Sequence, residues 1–284
     1  MGVPHLFQQD INNFIILSPP LSEQTAIAAY LDTKIAQIDR KIDLLTQKAT
    51  HYGKLKQALI NETVTRGLDK CVAMKDSGVE WIGKVPVHWG VKRFKELFSK
   101  SQTGWTPDTK NQSSFDGNNI WVTIRDMNSK YVDNSAIKLS DSAVKTSNIP
   151  ITPKGALLFS FKLSIGKISF AGCDLFTNEA IISILPQLGV NLKYYFYSLP
   201  IYLVLNAKEN IYGAKLLNQS LIFNTNLIFP PPIEQNAIAD YLDTKTTHID
   251  RIVETINTQI EKLKELRKTL INDVVTGKIK VVGG

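Results

Sequence analysis

The chain is poor in cysteine. Cys71 and Cys173 are the only two in 284 residues, too few and too far apart for a disulfide framework or a metal-ligand pattern, which fits a reducing compartment. The stretch MGVPHLFQQD has neither the basic nor the apolar part of a signal peptide and is not expected to act as one. Apolar runs such as Phe14–Leu17 stop far short of a membrane span. No His-x-x-x-His pair occurs, and no glycine-rich dinucleotide fingerprint follows a strand. His5, His51, His88 and His248 lie singly in different segments and read as solvated or capping. Acidic residues of the middle region are scattered singly, whereas a metal-dependent nuclease needs them clustered. Only Asp126 with Glu179 remains as a pair to consider. Ser164-Ile165-Gly166-Lys167 has the tail of a phosphate loop without its upstream glycine, so a strand turn is expected there.

The chain does contain an internal repeat. Residues 12–40 read NNFIILSPPLSEQTAIAAYLDTKIAQIDR, and residues 224–251 read NTNLIFPPPIEQNAIADYLDTKTTHIDR. From Glu23 and Glu234 onward the copies keep an offset of 211 residues, through LDTK and Ile-Asp-Arg to Val64-Thr65 against Val275-Thr276. Such a repeat sets the architecture before any local reading does. Each copy has a proline-ended apolar segment, a Glu-Gln start signal and a long helix. Ser22 is placed to cap the first helix, and Glu23 and Glu234 favour the helix N-termini electrostatically.

The first helix is expected from about Glu23 to about Thr65, ended by Gly67, a length of roughly 60 Å at 1.5 Å per residue. Leu31, Ile38, Leu45, Tyr52 and Leu59 recur at sevens, with Ile35, Ile42 and Ala49 between them. The second helix repeats this seam as Leu242, Ile249, Ile256, Leu263 and Leu270, with Val253, Ile260 and Val274 interleaved. Lys56 and Arg267 occupy equivalent seam positions, where the stripe is interrupted or snorkelled. Each helix needs a partner, and the other helix is the simplest one. A compact domain between them, with its ends close together, favours antiparallel packing.

Residues 67–90 form a strap in which Trp81 and Trp89 read as packing anchors. Beyond it lies a mixed α/β domain. VKRFKELF (91–98) is amphipathic, and strands are expected at Ile120–Ile124, Ala156–Phe161, Ile165–Phe170 and Ile181–Leu185. KYYFYSLPIYLVL (193–205) reads as a helix pair or a kinked helix around its proline. Residues 85–230 carry fifteen Lys and Arg against nine Asp and Glu, which is +6 of the chain's +7. The middle domain is therefore the part suited to a polyanion. Its candidate DNA-binding residues, in or beside loops, are Thr103, Trp105, Thr106, Lys110, Arg125, Lys130, Lys162, Lys167 and Lys215. A coiled-coil scaffold with a protein-binding basic domain and, more remotely, a metal-dependent nuclease remain the alternatives.

The motifs PPLSEQTAIAAYLDTKIAQID (19–39), PPIEQNAIADYLDTKTTHID (231–250) and GVEWIGKVPVHWGVKRFKELF (78–98) resemble the specificity subunit of type I restriction-modification systems. TGWTP (103–107), SIGK (164–167) and TNEA (177–180) are similar to recurring pieces of that family's target recognition domains. The resemblance implies a non-catalytic, cytoplasmic DNA-binding subunit and an α/β fold: a mixed α/β target recognition domain flanked by two long helices packing as an antiparallel coiled coil. It divides the chain into 1–21, the end of a first recognition domain; 22–66, the first spacer helix; 67–90, a linker; 91–232, the recognition domain; 233–276, the second spacer helix; and 277–284, a tail. Implied partners are double-stranded DNA, methyltransferase subunits and a restriction subunit that is both motor and nuclease. S-adenosylmethionine, ATP and Mg belong to those partners, with no cofactor in this chain. Helix packing would rest on Leu31, Ile38, Leu45, Leu59, Leu242, Ile249, Ile256, Leu263 and Leu270. With one recognition domain the chain would read one half-site; a dimer that restores two is the family-consistent expectation, and a truncated product that functions poorly or only with another fragment is the alternative.

Overall fold

A computed structural model describes residues 18–162, 164–209 and 215–281; the segment Ile11–Leu17 lies outside them. In chain order the elements are α1 (Leu21–Arg66), β1 (Met74–Asp76), β2 (Lys84–Pro86), β3 (Gly90–Arg93), α2 (Phe94–Leu97), β4 (Ser101–Thr103), β5 (Asn119–Val122), β6 (Tyr131–Val132) and β7 (Lys138–Leu139). There follow α3 (Asp141–Thr146), β8 (Leu157–Ser160), β9 (Ile168–Ala171), β10 (Phe176–Thr177), β11 (Ile181–Ile184), α4 (Leu192–Leu205), β12 (Lys208–Glu209), β13 (Lys215–Leu216), α5 (Gln219–Asn224), β14 (Asn226–Phe229) and α6 (Pro232–Val275). Contacts divide the chain into two compact units, residues 56–246 and the remainder. No helix among the described residues is long and apolar enough to cross a membrane.

In the two-helix unit, Asp39 Oδ1 of α1 lies 3.1 Å from Arg267 Nε of α6. Leu45 and Lys48 line one hollow with Arg251, Ile256 and Gln259. Later residues of α1 thus meet earlier residues of α6, so the helices are antiparallel. The heptad seam faces inward: Leu31, Ile249 and Ile256 are buried, while Ile38, Leu45, Leu263 and Leu270 are half-buried. Burial stays partial along much of α1 because a single partner helix shields only one side of it. Arg267 interrupts the seam and takes Asp39 as an exposed pair, worth at most about 1 kcal/mol.

In the other unit the last turn of α1 and the first turns of α6 enter the main core. Val64, Ile238, Ala239 and Leu242 are buried there, and Leu59 packs against them. Gly67 ends α1 at φ +78°, its N–H donating to Thr63 O at 3.0 Å, a left-handed cap that suits glycine. A side chain at Gly67 would also meet the Trp89 ring at 3.1 Å. The carbonyl of Val64, left over at the helix end, accepts from the buried hydroxyls of Tyr194 at 2.9 Å and Tyr202 at 3.1 Å.

The strap docks through α6: Trp89 Nε1–H donates to Glu234 Oε2 at 3.0 Å, and His88 Nε2 lies 2.6 Å from Glu234 Oε1. His88 is therefore a partner of the Glu-Gln signal and not an isolated ring. Gln235, fully buried, donates to Pro230 O at 2.8 Å and accepts from Asn191 N–H at 3.0 Å.

The domain is built on a five-stranded sheet ordered β4-β11-β8-β9-β6. Every residue of β8 and β11 is buried, which explains why both read as short unbroken apolar runs. A second sheet, β10-β5-β7, pairs β10 with β5 in parallel, and β3 pairs antiparallel with β14.

Several expected boundaries shift for local reasons. β5 stops at Val122, not Ile124, because Asp126 draws the backbone at Thr123 into a turn. β9 begins at Ile168, not Ile165, because the Ser160 hydroxyl, accepting from Lys167 N–H and donating to Ser164 O, holds 164–167 as a turn. Residues 91–98 divide into β3 and α2, since Val91 lies in register with Ile228. The segment around Pro200 is one helix, α4, and not a helix pair. Burial of Tyr194, Tyr195, Tyr197, Leu199, Tyr202 and Leu203 on several sides outweighs the backbone hydrogen bond that proline removes.

Candidate nucleic-acid interface

Two short motifs far apart in sequence are stitched into one surface. Thr103, the last residue of β4, pairs with Ile182 and accepts from Gln219 Nε2 at 3.1 Å. Gly104 follows, and a Cβ there would lie 1.7 Å from Thr177 O, so the position admits no side chain. Trp105 N–H donates to that same Thr177 O at 3.0 Å, and Trp105 O accepts from Trp121 Nε1–H at 3.1 Å. The Thr106 hydroxyl donates to the Glu179 carboxylate. With both backbone groups held, Trp105 projects a ring that leaves the residue 57% exposed. Beside Gly104, the buried Thr177 hydroxyl has no hydrogen-bond partner among the described residues.

The parallel pairing of β5 with β10 sets Val122 beside Thr177, which brings the turn after β5 to the same edge. Asp126 shapes that turn, accepting from Thr123 N–H and hydroxyl at 2.8 Å each and from Ala136 N–H at 3.0 Å. Arg125 stands exposed on it, with no partner for its guanidinium among the described residues. The turn after β8 closes the surface: Phe161 N–H donates to Ala180 O at 3.0 Å, and Lys162 is exposed next to it. Residues 103–106, 123–128, 161–162, 164–167 and 177–180 therefore converge.

The sequence candidates occupy this surface unequally. Thr103, Trp105, Thr106, Arg125 and Lys162 lie on the converged loops. Lys110 follows in an exposed turn, its N–H donating to Asp108 Oδ1 at 3.0 Å. Lys215 is exposed on β13, which pairs antiparallel with β12, its ammonium 3.4 Å from Val204 O. Lys167 turns inward, its ammonium donating to Ile124 O at 3.1 Å and Asn128 Oδ1 at 3.0 Å, so it braces the Arg125 turn from behind.

Lys130 points to α6, where it pairs with Asp243 at 2.5 Å and lies over the rings of Phe196 and Tyr197. Partial burial by itself would raise the Asp243 carboxyl, but hydrogen bonds from Lys130 and Tyr197 outweigh it and hold the group below the usual carboxylate value. Lys130 and Lys167 thus anchor the surface in place of facing solvent. Asp126 and Glu179, the one carboxylate pair the sequence offered to a metal, are each engaged by neighbouring Thr residues in shaping loops. The chemistry left facing outward is a guanidinium, ammonium groups and an aromatic plane. These are groups that hold phosphates, read base edges and stack on bases.

Comparison with known proteins gives the chain a family. The family model for the type I restriction modification DNA specificity domain matches residues 86–262. The specificity subunit of the type I restriction enzyme MjaIX from Methanocaldococcus jannaschii is 28% identical over 198 residues, 68% of this chain and 45% of that protein. The EcoBI specificity subunit of Escherichia coli is 22% identical over 98% of this chain and 61% of that protein. The chain thus spans about half to two thirds of the length of these relatives. Among solved structures, a chain from work on complex assembly and conformational transition of the type I R-M system superposes with a TM-score of 0.75 at 18% identity, covering 97% of this chain and 64% of that one. The HsdS subunit from Thermoanaerobacter tengcongensis gives a TM-score of 0.56 at 17% identity, with the same coverage of each chain. These likenesses establish the fold, and the family match spans most of the domain that carries the converged loops together with much of α6. The chain belongs to the family of type I restriction-modification DNA specificity domains.

Proposed function

We propose that this chain is the non-catalytic DNA sequence-recognition subunit of a type I restriction-modification complex, acting in the cytoplasm. Its recognition domain reads one half of a bipartite duplex target, and its long helices dock the adenine methyltransferase subunits. The observation that carries this reading is the convergence of Trp105, Arg125 and Lys162 on loops whose acidic residues are already engaged within the domain. That leaves a locally cationic face suited to DNA. S-adenosylmethionine, ATP and Mg are assigned to the methyltransferase and restriction subunits, and this chain supplies specificity and spacing.

The test is selection of duplexes from a randomised library by the purified chain together with its methyltransferase subunit. Enrichment of a short sequence motif is expected, and recovery of unselected sequence contradicts the reading. Two copies associating would join two recognition domains into a reader of a symmetric, split target. Light scattering of the purified chain should give twice the chain mass and the selected motif should recur inverted; a strict monomer with a single motif contradicts the dimer alone.

A further inference from the structure

We propose that Trp105 is the stacking residue of this domain, laying its indole against a nucleobase at a base step that the bound duplex opens, so that it contributes affinity through a base face while Arg125 reads a base edge. This rests on the DNA-recognition reading and adds to it a role for one side chain.

Three observations point the same way. The first is presentation. Gly104 has no room for a side chain against Thr177 O, and the amide and carbonyl of Trp105 are fixed by Thr177 and Trp121. The Cα of Trp105 is therefore held in one place although the residue is 57% exposed. A chain with no use for the ring would gain by turning it in, because each buried aromatic brings a large apolar area out of water. The other tryptophans do so: Trp89 and Trp121 are buried, and Trp81 is half-buried against Tyr202.

The second observation is the setting. The ring lies on the loop that also carries Thr103 and Thr106, Lys110 follows in an exposed turn, and Arg125 and Lys162 are exposed on the loops that converge with it. The core of a protein–protein patch is about two thirds apolar and depleted of lysine, whereas two of the cations here are lysines. An exposed aromatic plane on loops that also present cations is a composition that meets nucleic acid, where an opened base step offers a π face and phosphates take the charges. The third observation is the ring's own donor. Trp121 spends its Nε1–H on Trp105 O, but the Nε1–H of Trp105 has no partner among the described residues. It is left to bond a phosphate or base-edge oxygen beside the stacked face.

The experiment uses the full-length chain, the duplex recovered from the library selection, and the variants W105F, W105A and R125A. Because the ring is exposed, W105A should melt like the wild type, which shows that it folds. Wild type and W105F should bind the duplex with similar affinity, and W105A about 10- to 100-fold more weakly, the range for loss of one base-stacking ring. Intrinsic tryptophan emission of the wild type should be quenched on adding the duplex; this change should vanish in W105F and persist in R125A. If W105A binds as tightly as the wild type, or the quenching survives in W105F, the proposal is overturned and the DNA-recognition reading stands. If the wild type selects no duplex, both fall together.

Discussion

The repeat places the same Glu-Gln signal at two helix starts, and their surroundings differ. At Glu234 the carboxylate holds Trp89 and His88, Gln235 is buried, and Ile238, Ala239 and Leu242 lie in the core. At Glu23, 211 residues earlier, no partner for the carboxylate occurs among the described residues, and Gln24 and Ala28 are exposed. Yet the local structure is the same. Gln24 Nε2 donates to Pro19 O at 2.7 Å as Gln235 Nε2 donates to Pro230 O at 2.8 Å, and Thr33 and Thr244 each back-bond the carbonyl four residues before at 2.9 Å. The contrast separates two things a sequence encodes. The helix start is written locally in proline, glutamate and glutamine, whereas burial depends on what the fold lays against it.

The contrast can be broken by paired substitutions, taken from the largest expected effect to the smallest. Leu242→Ala should cost about 2–5 kcal/mol in denaturant unfolding, since it opens a cavity in the main core, and Leu31→Ala should cost below about 2 kcal/mol. Equal costs would mean that the first copy is packed as tightly as the second. Glu234→Ala should cost about 1–3 kcal/mol by leaving the part-buried Trp89 indole N–H without its acceptor, while Glu23→Ala should stay within about 0.5 kcal/mol.

The third pair is Asp243 and its counterpart Asp32, sharpened by pH. The folded-state value of Asp243 is lowered, so its contribution to stability is present above the unfolded carboxylate value of about 3.9 and is lost as pH falls through the folded value. Urea midpoints followed from about pH 7 to about pH 3 should show an acid-side fall in the wild type and Asp32→Asn that is reduced in Asp243→Asn. Identical profiles for the two variants would remove Asp243 from the anchor.

The same division explains what could be read in advance. The long helices were legible because a heptad stripe and a Gly67 cap are periodic and local, and β8 and β11 because central strands are apolar throughout. Lys130 and Lys167 were not, because a cation's partner is invisible when it lies far along the chain. Asp243 is 113 residues from Lys130, and the Ile124 carbonyl is 43 residues from Lys167. Both lysines look like phosphate contacts in sequence and act as braces in the fold. The convergence of TGWTP with TNEA was equally hidden, since it depends on the β4–β11 register and on the parallel pairing of β5 with β10. His88 read as an isolated ring for the same reason, its carboxylate being 146 residues away.

The most direct test of the central claim, that the converged loops read DNA sequence, is duplex selection repeated with Arg125→Ala. The account predicts that the wild type enriches a short motif and that R125A still folds and binds DNA but loses base preference at one or two positions, with roughly 1–3 kcal/mol of discrimination gone there. An R125A motif indistinguishable from the wild type's, or no motif from either protein, would contradict it.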